Sequence, residues 1–260
     1  MVCFPYAKIN LGLHILSKRP DGYHNLETCF YPVKEVCDVL EMIENTEESF
    51  EMEGADWPGA KEDNLVWKAY TAFRRAEPGC PSFSWYLHKK IPSGGGLGGG
   101  SSDAAFALRM LADFCGWEKQ DTRLWQLAAS LGSDCAYFLL DCPALGSSRG
   151  EVLEPVEIPE MNDYDIKLVL PEVKISTALA FSRVRPSIPD KGISSIIRQP
   201  VSTWRAELKN DFEDSVFPQF PQLQKYKNQL YDKGAVYVSM SGSGSALFGL
   251  FRKGGDAGLP

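Results

Sequence analysis

The stretch Ile91 to Ala105 reads IPSGGGLGGGSSDAA, with six glycines among its fifteen residues. Glycine admits positive φ and lets a backbone approach a ligand closely. Successive N–H groups in such a loop can point at one anion. A helix starting directly behind it adds unpaired donors and the positive end of its dipole. Pro92 opens this candidate nucleotide-binding stretch, and the backbone of Gly94, Gly95, Gly96, Leu97, Gly98, Gly99 and Gly100 supplies its candidate phosphate-binding positions. Ser101 and Ser102 place hydroxyls where the helix begins, and either can hold a phosphate oxygen or Mg²⁺, or simply cap the helix.

Two common phosphate loops fit poorly. A Walker A loop carries lysine behind its last glycine, and no lysine follows Gly99 or Gly100. GGGLGG satisfies the G-x-G-x-x-G spacing, but a Rossmann loop sits in a parallel βαβ unit, and the preceding segments read as hairpins. A flexible linker joins polar segments, whereas this loop lies between a strand pattern and an amphipathic helix. It is a connection inside a domain.

The flanking elements follow from periodicity. Ala7, Ile9, Leu11, Leu13 and Ile15 alternate with Lys8, Asn10, Gly12 and His14, which predicts a strand with one buried face. The turn chemistry of RPDGYH and the strand formers of Leu26 to Val33 predict an antiparallel hairpin. DVLEMIE, SFEME and SFSWYLHKKIP read as further strands. EDNLVWKAYTAFRRA has helical spacing, as do the run from Ala104 to Cys115, closed by Gly116, and Asp121 to Leu131, closed by Gly132. Asp141 to Pro155 clusters Gly, Ser and Pro and reads as a seam. Beyond it come the strand DIKLVLP, a short helix capped by Ser176 or Thr177, and IPDKGISSIIRQP, which reads as a mobile loop. A largely helical segment spans Asp211 to Leu230. AVYVSM and ALFGLF are strands flanking a second glycine loop, Ser241 to Ser245. The class is α+β, with mixed or antiparallel sheets.

Composition narrows the function. The chain has 260 residues, 44% of them hydrophobic, and a formal charge of −7. That balance argues against a general nucleic-acid or anionic-membrane binder and leaves room for one basic pocket. No apolar run approaches the ~20 residues that span a bilayer, and the N-terminus lacks a signal-peptide pattern. The seven cysteines, Cys3, Cys29, Cys37, Cys80, Cys115, Cys135 and Cys142, form no CxxC pair. They read as scattered thiols of a cytoplasmic protein, neither zinc ligands nor a disulfide framework.

With those elements around it, the glycine stretch resembles the P-x-x-x-G-L-x-S-S-A signature of the GHMP kinases (galactokinase, homoserine kinase, mevalonate kinase, phosphomevalonate kinase). Pro92, Gly96, Leu97, Ser101 and Ser102 carry the match. AKINLGLHILSKRPDGYHNLET, EDNLVWKA, LGSDCAYFL, LKNDFEDSV and SMSGSGSALFGLF extend it over nearly the whole chain in the family's order. The longer form of the loop resembles the branch acting on a cytidine diphosphate-linked methylerythritol.

The resemblance implies a two-domain α+β fold. Residues 1–150 would form an ATP-binding domain like ribosomal protein S5 domain 2, and residues 151–260 a ferredoxin-like α/β-plait domain, with the active site in the cleft between. It implies ATP and Mg²⁺, a small-molecule alcohol as acceptor, no nucleic-acid or membrane partner, and a monomer or homodimer. Asp134 is implicated as base or orienting group for the acceptor hydroxyl and Lys8 as its partner, with Ser102 as a metal contact. Asn10 shares the strand face of Lys8, so both side chains are expected in one pocket. His24 is expected on the cytosine edge, with Tyr23, Phe30 and Phe181 as aromatic neighbours; Phe30 serves equally as core. Thr177 is a pocket residue or a helix cap. Asn64 is an ATP contact or a cap, and Lys89 an ATP contact or a strand-end charge. Gly242, Ser243 and Gly244 are expected to pack near the first loop and line the substrate phosphates. Two positions depart from the branch pattern. Asp103 stands where asparagine is usual, adding negative charge near the phosphates, and Ala136 where proline is usual. The chain also ends soon after its third motif, at RKGGDAGLP, so either a trimmed C-terminal domain or an incomplete chain is expected. The competing readings are another GHMP kinase, for homoserine, mevalonate or a sugar, and a nucleotide sensor without catalysis.

Overall fold

A computed structural model of the chain describes residues 1–54 and 59–254. Residues 255–260, which end the segment behind the expectation of a trimmed C-terminus, lie outside the described residues. The strands are β1 (Val2–Cys3), β2 (Tyr6–Lys18), β3 (His24–Cys37), β4 (Val39–Glu44), β5 (Ser49–Gly54), β6 (Phe83–Lys89), β7 (Ala144–Ser148), β8 (Val152–Pro155), β9 (Tyr164–Val169), β10 (Tyr237–Met240) and β11 (Leu247–Arg252). The helices are α1 (Leu65–Ala76), α2 (Gly99–Phe114), α3 (Thr122–Leu131), α4 (Cys135–Leu140), α5 (Thr177–Phe181), α6 (Ile193–Ile196), α7 (Val201–Glu207), α8 (Phe212–Val216) and α9 (Pro221–Asp232).

The chain forms two compact units. The first comprises residues 1–8, 32–93 and 98–141. Its sheet has the order β1-β4-β6-β5, antiparallel except for the parallel β5–β6 pair. β6 alternates strictly, turning Phe83, Trp85, Leu87 and Lys89 inward. Three of those four join a core with Tyr70 and Phe73 of α1 and Ala104, Leu108 and Leu111 of α2. The side-chain amide oxygen of Asn64 accepts from Val66 N and starts α1, and Asp121 does the same for α3.

The second unit comprises residues 9–31, 94–97 and the chain from Cys142 onward. β9, β10 and β11 form an antiparallel sheet of order β10-β11-β9, and its core gathers Ile175, Phe212, Val216, Leu223, Val238, Met240 and Leu247. A further sheet has the order β2-β3-β7-β8.

Three sequence expectations change. β2 is buried on both faces from Tyr6 to Ile15, polar residues included. The seam at Asp141–Pro155 contains an antiparallel hairpin, β7–β8, with β7 paired to β3. Its glycines serve close packing, since a Cβ at Gly146 would lie 2.6 Å from the Phe30 ring. Part of the segment read as a mobile loop is α6, which buries Ile193 and Ile196. A single helical turn is too short for periodicity to reveal.

Candidate active site

In the first unit the glycine stretch ends on α2. Gly98 is the N-cap, with φ 70° and ψ 15°. A side chain there would lie 3.0 Å from Phe138 and 3.2 Å from Cε of Lys8, so both conformation and space call for glycine. Ser102 N donates to Gly98 O at 2.8 Å and closes the first turn. The preceding N–H groups of Gly99, Gly100 and Ser101 remain as helix-end donors, and no acidic residue stands in that turn. Ser102 is fully buried, and its hydroxyl has no hydrogen-bond partner among the described residues. A buried orphan of this kind at a helix N-terminus fits a phosphate oxygen or a cation held with it.

Beside Gly98 lies the pair expected to act. Lys8 Nζ is 3.3 Å from Asp134 Oδ2, with side-chain exposures of 4% and 32%. Asp134 is the N-cap of α4 yet makes no capping hydrogen bond. Its carboxylate is thus not committed to the helix, and solvent, or a ligand, reaches it.

Asn64 and Lys89 have other partners. Asn64 caps α1 through its side-chain oxygen and directs its amide at Met52 Sδ. Lys89 is buried and pairs with Asp38 and, at 2.8 Å, with Asp103. Burial works against the Lys89 ammonium, but the two carboxylates outweigh it and raise its pKa. Burial pushes the Asp103 carboxyl up to about 8, against the pull of Lys89. Asp103 is therefore a buried partner of Lys89, and burial works against the negative charge expected there. Ala136, the other departure, is buried in α4.

In the second unit, Gly94 and Gly96 have φ values of 75° and 76°. A Cβ at Gly96 would lie 2.0 Å from Ser241 O, so only glycine lets the two loops meet. Ser241 Oγ donates to Gly96 O at 2.8 Å, and Ala246 N to Gly95 O at 3.1 Å. The expectation that the second glycine loop packs against the first holds. Asn210 secures that loop by donating to Met240 O at 2.8 Å and Gly242 O at 2.9 Å. Asn10 Nδ2 donates to Thr28 Oγ1 at 2.9 Å, and its Oδ1 lies 3.3 Å from a Cβ placed on Gly242. Asn210 and Thr28 lie inside the motifs LKNDFEDSV and AKINLGLHILSKRPDGYHNLET, but nothing within those motifs singles them out as site residues.

The aromatic candidates separate. The His24 ring stacks on Phe181, centroids 4.8 Å apart and planes 19° from parallel. Burial, with the Lys18 charge, lowers the His24 pKa from 6.5. The imidazole is thus neutral at pH 7, with one donor and one acceptor. Tyr23 is exposed under the Arg149 guanidinium. Phe30 is 2% exposed and packs over Gly146 and Gly150, which corrects its candidacy as a base-stacking ring. Ser176 caps α5, leaving Thr177 Oγ1 3.4 Å from Ser243 Oγ.

All seven cysteines are free thiols. Burial pushes the Cys135 thiol up to about 11, so no thiolate is offered beside Asp134. Among the described residues no cluster of three or more His, Cys, Asp or Glu side chains is placed to hold a metal, and no helix is long and apolar enough to cross a membrane. A Mg²⁺ held largely by nucleotide phosphates needs no such cluster.

The family model for the GHMP kinases N terminal domain matches residues 64–141, and that for the GHMP kinases C terminal domain residues 193–258. The chain is 46% identical over 253 residues to the 4-diphosphocytidyl-2-C-methyl-D-erythritol kinase of Parabacteroides distasonis, covering 97% of this chain and 92% of the relative. It is 47% identical over 255 residues to that of Bacteroides fragilis, covering 96% and 92%. A crystal structure of 4-(cytidine 5'-diphospho)-2C-methyl-D-erythritol kinase superposes with a TM-score of 0.83 at 34% identity, covering 96% of this chain and 90% of that one. Homoserine kinase from Cytophaga hutchinsonii shares the fold at 17% identity, with a TM-score of 0.69 over 97% of this chain and 86% of that one.

Proposed function

This chain belongs to the GHMP kinases, in the group of the 4-diphosphocytidyl-2-C-methyl-D-erythritol kinases, and we infer that it uses ATP to phosphorylate the 2-hydroxyl of 4-diphosphocytidyl-2-C-methyl-D-erythritol. The products are the 2-phosphate and ADP, in the non-mevalonate route of isoprenoid biosynthesis. The observation that carries the reading is the Lys8–Asp134 pair packed beside Gly98 at the start of α2.

Phosphoryl transfer needs a held triphosphate, neutralised charge and an aligned hydroxyl. The backbone N–H groups of the glycine stretch and of the first turn of α2 hold the triphosphate. Asp134 accepts the proton of the acceptor hydroxyl, or orients that hydroxyl toward the phosphorus. Lys8 orients the Asp134 carboxylate and brings positive charge to the transferred phosphoryl group. Mg²⁺ bound with the nucleotide supplies further neutralisation, and the buried Ser102 hydroxyl would hold it.

His24 reads the cytosine edge as a neutral imidazole, and Phe181 contributes the ring beside it. Thr177 and the loop Gly242–Gly244 take the substrate diphosphate, with Asn10 supplying an amide. Residues 1–150 are assigned to the nucleotide-binding domain and 151–260 to the C-terminal domain. The test is ADP release by the purified chain with ATP and each candidate alcohol in turn. Turnover is expected with the cytidine substrate and not with homoserine, mevalonate or a sugar. ATP binding without turnover on any of them would turn the assignment into a sensor.

A further inference from the structure

Asp38 lies between β3 and β4, fully buried, in a segment that no functional motif covers. Both of its carboxylate oxygens are engaged. Oδ1 accepts from Lys90 N at 2.6 Å and Ile91 N at 2.8 Å, and Oδ2 accepts from the Lys89 ammonium. Its own N–H donates to Pro5 O at 2.8 Å, fixing it to the strand region that leads into Lys8. Lys89 continues the connection by donating to Asp103 Oδ2 of α2 at 2.8 Å. A Cβ at Gly99 would lie 2.8 Å from the Ile91 side chain and 3.0 Å from Lys89 Nζ, so the first residue of α2 packs too closely on this cluster for any side chain.

We propose that Asp38 is a positioning residue for nucleotide binding, which clamps the two stems of the glycine loop through Lys89 and the N–H groups of Lys90 and Ile91. Lys90 and Ile91 immediately precede Pro92, so their bonds to one carboxylate set the direction in which the chain enters the loop. Asp103 and Gly99 set where it leaves. Fixed stems reduce the ordering needed when a triphosphate binds, and such preorganisation raises affinity without adding a contact. Of the two aspartates, Asp38 is the anchor: it accepts three bonds, whereas Asp103 Oδ1 has no hydrogen-bond partner among the described residues. The inference rests on the reading of the glycine loop as the triphosphate site.

The test compares Asp38→Asn with the unmodified chain by ATP titration and by steady-state kinetics. ATP affinity and KM for ATP are expected to weaken at least about tenfold, with kcat at saturating ATP and KM for the cytidine substrate held within about threefold. A general loss of folding would not split the constants in that way. If Asp38→Asn does not fold, Asp38→Glu keeps the charge and moves the carboxylate by one methylene, and a weakening of ATP binding of at least about fivefold is expected. Asp103→Asn leaves the three Asp38 bonds in place and is expected to have a smaller effect than Asp38→Asn. ATP binding within twofold of the unmodified chain in a folded Asp38 variant, or a larger effect from Asp103→Asn, overturns the proposal. Failure of the unmodified chain to bind ATP would instead overturn the reading of the loop, and this inference with it.

Discussion

Two lysine–aspartate clusters in the first unit use the same residue types for different work. In one, buried Lys8 faces Asp134 at 3.3 Å, and the aspartate side chain is 32% exposed with no capping bond. In the other, Lys89 is enclosed by Asp38 and Asp103, whose side chains are 0% and 3% exposed. The charges alone do not distinguish a group that acts from one that holds. Access to a ligand and uncommitted lone pairs do. Asp134 has both, while Asp38 has neither.

The largest expected effect comes from removing the accessible carboxylate. Asp134→Asn should lower kcat about 10²–10⁴-fold while leaving ATP affinity within about threefold. Full activity in that variant would end the assignment of Asp134 and erase the functional half of the contrast.

Next in size is the difference between the lysines in stability. Lys89→Met removes the cation from two buried aspartates and should cost about 3–5 kcal/mol in urea unfolding. Lys8→Met leaves a carboxylate that water can reach, and should cost under about 1 kcal/mol while abolishing most turnover. Equal losses of stability would show that both clusters are structural.

The second unit sharpens the same distinction with an accessible aromatic pair. Phe181→Ala should raise KM for the cytidine substrate about tenfold, within the ~1–3 kcal/mol of a base–aromatic stack. Phe30→Ala, in the core, should instead reduce stability by about 3–5 kcal/mol. A KM effect from Phe30 without a stability loss would reverse the assignment.

The smallest effect concerns pH. His24 has its pKa lowered below 6.5, so it is neutral through pH 7 and above. Protonation converts its acceptor into a donor. KM for the cytidine substrate should therefore be flat above pH 7 and rise a few-fold as pH falls below 6.5, a step that His24→Gln removes. A profile identical in both proteins would take His24 off the base edge.

Much of this was legible in the residues. The alternation of β6 was written in FSWYLHK, and read through to its end it places Lys89 on the same inward face as Phe83, Trp85 and Leu87. That phase buries the strand-end charge of Lys89 against Asp38 and Asp103. The glycines of the first loop announced a backbone under unusual demand, and the φ values at Gly94, Gly96 and Gly98 are that demand. The β7–β8 hairpin was hidden because Gly, Ser and Pro in ALGSSRGEVLEP signal turns as readily as seams. Asp38 carried no signal, because a lone aspartate between two strands has the composition of any turn.

The sequence by itself determined the periods, the caps and the glycine positions, since these depend on neighbours a few residues apart. It also determined the family, through motifs spread along the chain. Only the tertiary structure decided which charges meet and which of them water can reach. Lys8 finds Asp134, Asp38 finds Lys89, and Ser241 finds Gly96 across long separations in the chain. Burial and pairing at such distances are properties of the packed chain, and no local pattern encodes them.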